Sequence, residues 1–391
     1  MQNNNALSSL TAPLCSQVHG YLVVSNTVIT QALFPSLTFV GQLLVVNYHP
    51  IMTTISFAAL TGVGATFQIL HNPVLSTLVA PLLTVVGSHF YISSNGFQNA
   101  SISFPALASV GGELLLDMNN ESMVSFPLLT AVSINFQISS DALVTAVLLP
   151  QLHSVGGYLQ IDSCIALTKL SLDALQQVNG SIVLAFNAIT MASFPVLHSV
   201  SGDVELLRGS LLSIASFPLL QSVGGNLDLS DNPGIVSFWL PNLQIVDGMV
   251  QLHDNSVVSS ISFPLLTTIQ GRLSVNNNVN LRNLFMPFIS LIGEYIQICN
   301  NDPSLVIPLA ILQVCHRLVV FLHHCYCYHH LKLLPFTLLL RLAPASSRRR
   351  VHIVAASRPI PYTAPAHRPP SHRVPPIMHP LQCRCRLLRL P

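Results

Sequence analysis

The stretch Ser216-Phe217-Pro218-Leu219-Leu220-Gln221-Ser222-Val223-Gly224-Gly225-Asn226-Leu227-Asp228-Leu229-Ser230-Asp231-Asn232 combines a proline, a glycine pair, two alternating leucines and a closing asparagine. Taken alone it permits a functional reading, because a glycine pair beside a strand can cradle a phosphate, and Asp228 with Asp231 can act as acid and base. Recurrence decides otherwise. The proline slot returns at Pro35, Ala58, Pro81, Pro105, Pro127, Pro150, Asp173, Pro195, Pro241, Pro264 and Pro287, in steps of 22, 23 or 24 residues. The alternating pair occurs thirteen times, from Leu22/Val24 through Phe67/Ile69 and Leu159/Ile161 to Ile296/Ile298, and every member is apolar. A fixed period in this range marks a solenoid.

Each slot of the consensus V-x3-L-x-L-x2-N-x7-F-P-x-L-x2-V has a physical reading. L-x-L is a strand of period two with both apolar residues on one side, too short to bury that side alone, so successive copies stack as a parallel sheet. Val223, Leu227, Leu229, Phe217 and Leu220 then point inward, each contributing roughly 1.5 to 3 kcal/mol when fully buried. The glycines take a corner that needs positive φ or a close backbone approach, and proline suits a corner whose N–H joins no ladder. Asparagine closes the strand at Asn72, Asn95, Asn119, Asn187, Asn232, Asn255, Asn278 and Asn301, with Asp141 standing in, where its amide can bond backbone groups. The expected fold is all-β: a right-handed, parallel β-helix-like, leucine-rich solenoid of about 13 turns.

Charge divides the chain. Residues 1–304 hold all 14 acidic groups and four basic ones, Lys169, Arg208, Arg272 and Arg282, for a formal −10, whereas residues 305–391 hold 12 basic groups and no acid. Nucleic acid is therefore no expected partner of the repeat segment, and overall pI is uninformative. The first charged side chain is Glu113. The opening M-Q-N-N-N-A-L-S-S-L has neither a basic nor an apolar leader segment and does not read as a secretory signal.

With V-G-G-x-L-x-L, F-P-x-L and the opening C-S-Q-V-H-G-Y-L-V-V from Cys15, residues 15 to about 301 resemble the receptor L-domain family. The layout, an unbroken run of turns without a cysteine-rich module, is most similar to the fungal GPI-anchored cell-wall members. The resemblance implies a non-catalytic recognition or structural module at a cell surface or outside the cell, with a protein or carbohydrate ligand. Two other readings stand beside it, the ectodomain of a type I membrane receptor and a polysaccharide-acting β-helix enzyme. The chain divides into an N-terminal cap (1–17), the solenoid (18–301), a C-terminal cap (302–315), an apolar His/Cys-rich segment (316–343) and a Pro/Arg/His-rich tail (344–391) expected to be disordered.

Candidate site residues lie in the slot between the paired apolar positions, which faces outward. Tyr91, Gln137, Gln160, Glu205, Asp228 and Gln251 occupy it, and Tyr158 stands on the same side. Tyrosines and glutamines suit sugar or protein contacts by stacking and hydrogen bonding. Glu205 and Asp228, one turn apart with Asp203 and His253 close by, form the best carboxylate cluster for the enzyme reading. Gly62-Val63-Gly64 is the repeat's own corner with no following helix, so no dinucleotide site and no cofactor is expected. Sequons at Asn99, Asn120 and Asn179 permit glycosylation at a frequency chance would supply. Cys299 and Cys315 can close a C-terminal cap by disulfide. Cys315, Cys325 and Cys327 with the neighbouring histidines match no established zinc spacing, so no metal is expected. Residues 305–343 offer a membrane association interrupted by His316 and Arg317, and the competing reading of the segment from about 316 is a misjoined exon or shifted frame.

Overall fold

The computed structural model describes residues 6–98, 100–308, 310–311 and 314–320. The chain winds as an all-β solenoid in which each turn contributes up to three short strands. In the turn quoted above they are Ile214–Ser216, Ser222–Val223 and Leu227–Asp228. Each pairs in parallel with its equivalent one turn earlier and one turn later: Leu227 stands opposite Val204 and Val250, and Ser222 opposite Ser199 and Ile245. Pairing with no register slip follows from the period, since a slip of one residue would turn the leucines outward. At the start, Leu10–Thr11 already pairs with Ala32–Leu33, so coiling begins inside the segment read as a cap. At the other end Cys315–Val320 lies beside Leu291–Cys299, adding a strand beyond the thirteen L-x-L copies.

The third side, carrying strands such as Ile214–Ser216, is not continuous. It divides into four sheets, with breaks after Thr77–Val79, Lys169–Ser171 and Ser237–Trp239. The first break coincides with the 24-residue step from Pro81 to Pro105, where an extra residue precedes Ser101.

Inside, Val223, Leu227, Leu229, Phe217 and Leu220 have no solvent exposure, as the consensus requires. The phenylalanines of the F-P slot stack up the axis: Phe34 on Phe57 at 5.3 Å, Phe104 on Phe126 at 5.8 Å and Phe194 on Phe217 at 4.8 Å between centroids. Ala80 interrupts the column, and there the facing L-x-L column carries Phe67 and Phe90 instead of leucine. These two rings stack at 5.1 Å and meet the F-P column edge-on, Phe67 against Phe57 at 6.3 Å and Phe90 against Phe104 at 4.9 Å. The small residue on one wall is thus matched by large ones on the other, keeping the interior filled.

Corners are made differently from either simple expectation. No glycine has positive φ, so close approach explains them: a Cβ on Gly64 would lie 2.1 Å from the carbonyl oxygen of Gly41 in the turn before. Ser133, Ser201 and Asp247 fill that slot elsewhere, so glycine is favoured there without being obligatory. Positive φ instead falls on the residue preceding the asparagine slot, as at Tyr48 (59°), Met118 (50°), Phe186 (56°) and Asp231 (59°). A left-handed conformation costs an L-residue roughly 1 to 2 kcal/mol, and here it is imposed in every turn by the need to aim the next side chain inward.

That next side chain is the asparagine, buried and bonded between turns. The Oδ1 of Asn255 accepts the N–H of Asn232 at 3.1 Å, and its Nδ2 donates to the Leu229 carbonyl at 2.8 Å. Asn278 repeats this with the N–H of Asn255 and the Leu252 carbonyl, and Asn95 with the N–H of Asn72 and the Ile69 carbonyl. His49, buried in the same slot, accepts or donates through Nδ1 to Thr27 Oγ1 at 2.9 Å. The ladder satisfies backbone groups that the left-handed residue takes out of the sheet.

Candidate ligand-binding face

The outward residues of the L-x-L strands form one register: Val23, Val45, Gln68, Tyr91, Leu115, Gln137, Gln160, Val183, Glu205, Asp228, Gln251, Ser274 and Gln297 stand opposite one another in order. Neighbouring strands lie ~4.8 Å apart, so this column is a straight file along a flat sheet. Tyr91, Gln137, Tyr158, Gln160, Glu205, Asp228 and Gln251 are all half-buried on it.

They fall into two groups separated by Val183. In the first, Glu113 is the hub. The Tyr91 hydroxyl donates to its Oε2 at 2.9 Å, while the Tyr158 hydroxyl lies 3.4 Å from its Oε1 and 3.0 Å from Gln137 Oε1. Asn135 Nδ2 donates to Glu113 Oε1 at 3.3 Å. Burial, then the hydrogen bond and charge of Glu113, push the Tyr91 phenol up to about 12, and burial followed by Glu113 raises Tyr158 as well. Gln160 is tied to Asp162 at 2.8 Å. Glu113 was not among the residues singled out from the sequence. Its signal is its slot, directly before L-x-L, in the same position as Tyr158 and Asp203. Replacing Glu113 by glutamine is expected to bring the Tyr91 titration down from about 12 toward 10 without reaching it, since burial remains, as followed by phenolate absorbance. An unmoved titration would show that Glu113 does not hold the phenol.

In the second group Glu205 stands beside Asp228 in register, as the enzyme reading required. Burial, then Asp203 and Asp228, raise the Glu205 carboxyl. Asp228 Oδ2 accepts from Gln251 Nε2 at 2.7 Å, and Arg272 continues the network to Gln251 Oε1 at 3.1 Å and the Tyr295 hydroxyl at 2.8 Å. Asp203 turns away from chemistry: its Oδ1 accepts the Asn226 backbone N–H at 2.6 Å. His253 does not join Glu205 and Asp228 but bonds Asp254 at 2.9 Å.

Asp231, His253 and Asp254 bring ligand atoms within 4.8 Å of one another, the one such group of three among the described residues. Arg208 Nε lies 3.6 Å from Asp231, so that carboxylate already has a cation beside it, and the group reads as an ion-paired ridge.

Asn120 and Asn179 are exposed, while Asn99 lies outside the described residues. Cys299 and Cys315 are not brought together. Cys315 pairs with Ile292, seven positions upstream of Cys299 on the same strand, and Cys299 stands opposite Asn276. Among the described residues no helix is long and apolar enough to cross a membrane. Residues 321–343 of the membrane-association segment, Cys325, Cys327 and the tail from 344 lie outside the described residues.

No family model matches the chain, and no curated protein matches it. Among solved structures, a leucine-rich repeat protein from Bacteroides ovatus is similar over 65% of this chain and 87% of its own, at 12% identity and a TM-score of 0.30. The architecture therefore rests on this chain's own strand register. That register is a leucine-rich-repeat-like solenoid.

Proposed function

We propose that the chain is a non-catalytic recognition or structural module that presents the outer sheet face to a carbohydrate or protein ligand at a cell surface or in a wall. The observation that carries this reading is the unbroken file from Val23 to Gln297, a flat surface on which Tyr91, Gln137, Asp228 and Gln251 are anchored by neighbours on adjacent turns. Anchored side chains lose little freedom on binding, which favours recognition by a rigid face. The rings of Tyr91 and Tyr158 are held by their hydroxyls, and Tyr91, stacked on His89 at 5.2 Å, keeps one ring face for a ligand. Similarity to the receptor L-domain motif supports the extracellular setting.

The polysaccharide-acting reading keeps one specific observation, the raised Glu205 beside Asp228. Binding of the full chain to an array of immobilised polysaccharides separates the two. A recognition module is expected to retain one class of glycan, to lose at least tenfold in affinity with Tyr91→Ala plus Tyr158→Ala, and to leave the glycan uncut. Cleavage abolished by Glu205→Ala or Asp228→Ala would establish the enzyme, and retention unaffected by the tyrosine changes would remove this face from the site.

A further inference from the structure

Two buried carboxyls lie outside the proposed face and have no part in it. Glu121 and Asp141 are both without solvent exposure. Glu121 stands two residues before the strand Met123–Ser125, the position filled by Met52, Leu75, Val144, Leu167 and Leu212 before their own strands. Those five are fully buried aliphatic side chains, so the column is apolar and Glu121 intrudes on it. Asp141 holds the asparagine slot one turn on, where its Oδ1 accepts the Asn119 backbone N–H. Both oxygens of Glu121 and Oδ2 of Asp141 have no hydrogen-bond partner.

The charges acting on this pair are all negative, opposed by hydrogen bonds such as that of the Asn119 backbone N–H to Asp141. Asp141 feels Asp117, and the buried Cys164 thiol beside them is pushed up to about 12 by burial first and then by Asp141, Glu121 and Asp162. Two ionised carboxylates cannot share such a site. One proton resolves it, because a Glu121 hydroxyl can donate to Asp141 Oδ2 and so give one oxygen of each carboxyl its partner.

We propose that Glu121 and Asp141 bind a single proton between them, and that this proton clamps the middle turns of the solenoid, which loosen when alkaline conditions remove it. Burial, then the charge of Asp141, raises Glu121 above ordinary carboxylate values, and burial, with Asp117 behind it, raises Asp141. The stabilisation is therefore complete below the ordinary carboxylate range and is lost as pH rises through the raised values. Inside that window the local opening equilibrium changes by up to about tenfold per pH unit, the signature of one proton released.

The test is hydrogen exchange of the full chain, corrected for intrinsic rates, between about pH 5 and about pH 9. Amides of residues 113–167 are expected to lose protection with rising pH at least tenfold more than those of the terminal turns. Glu121→Gln, which carries no titratable proton, is expected to abolish that difference, and Glu121→Leu, which restores the residue type of the column, serves the same purpose should the amide variant fold poorly. Equal pH dependence in wild type and both variants overturns the proposal. So does protection regained at alkaline pH on adding calcium, which would assign the pair to a metal cation.

Discussion

Asn255→Ala is expected to destabilise the solenoid by ~2 to 5 kcal/mol, although the side chain removed is small. The change orphans the Asn232 N–H and the Leu229 carbonyl, both of which the amide satisfies at the interior edge. A buried polar group left without its partner costs ~1 to 3 kcal/mol, and water cannot reach a site with no exposure. Asn255→Asp keeps an acceptor for the Asn232 N–H, as Asp141 does for Asn119, but buries a carboxylate with Val258 where Asp141 has Glu121, so it should approach wild type only at acid pH, where the neutral carboxyl can also donate. Denaturant unfolding of the full chain measures both. An alanine variant within ~0.5 kcal/mol of wild type would mean that the ladder contributes no net stability.

Phe90→Ala should cost as much, ~3 to 5 kcal/mol. Phe90 is fully buried and touches Phe67, Phe104 and Phe126 at centroid distances of 5.1, 4.9 and 5.9 Å. It also lies where the F-P column shrinks to Ala80, so its own turn offers only a methyl group on that wall toward the cavity. Phe90→Leu should lose far less, because Leu44 and Leu114 fill the same slot in other turns. In a solenoid stabilised turn against turn, a defect in the fourth of the thirteen copies weakens the coupling between the turns on either side of it. Protection from hydrogen exchange should accordingly fall first in turns next to residue 90. If alanine there loses no more than leucine does, the compensation between Ala80 and the two phenylalanines is not a packing requirement.

Much of this architecture could be read from residue order alone, because it depends on spacing. A pair of apolar residues two apart, repeated about every 23 positions, has one arrangement that buries every copy, and Val223, Leu227 and Leu229 lie inside as that demands. The outward file from Val23 to Gln297 follows from the same alternation. Other features depended on distances between turns. Glycine suggested positive φ or close approach, and the absence of positive φ at every glycine, with the Gly41 carbonyl lying where a Cβ on Gly64 would stand, decided between them. The left-handed residue turned out to be Met118 or Phe186, types with no intrinsic preference for that conformation. Cys299 and Cys315 suited a cap disulfide by their place at the end of the repeats, whereas the strand register sets Cys315 beside Ile292.

The two carboxyls show the boundary most clearly. Counting from Asn119 puts Ser122 in the apolar column, whereas counting back from Met123 puts Glu121 there, because this turn is one residue short after a turn one residue long. A linear pattern does not say which anchor holds when the spacing changes. Sequence by itself determined the coil, its period and which side faces out, since those follow from local alternation summed over many copies. Only the tertiary structure decided that Glu113 grips two tyrosines from other turns and that Glu121 meets Asp141, because hydrogen bonding and desolvation act over a few ångströms of space, across residues 20 to 45 apart in the chain.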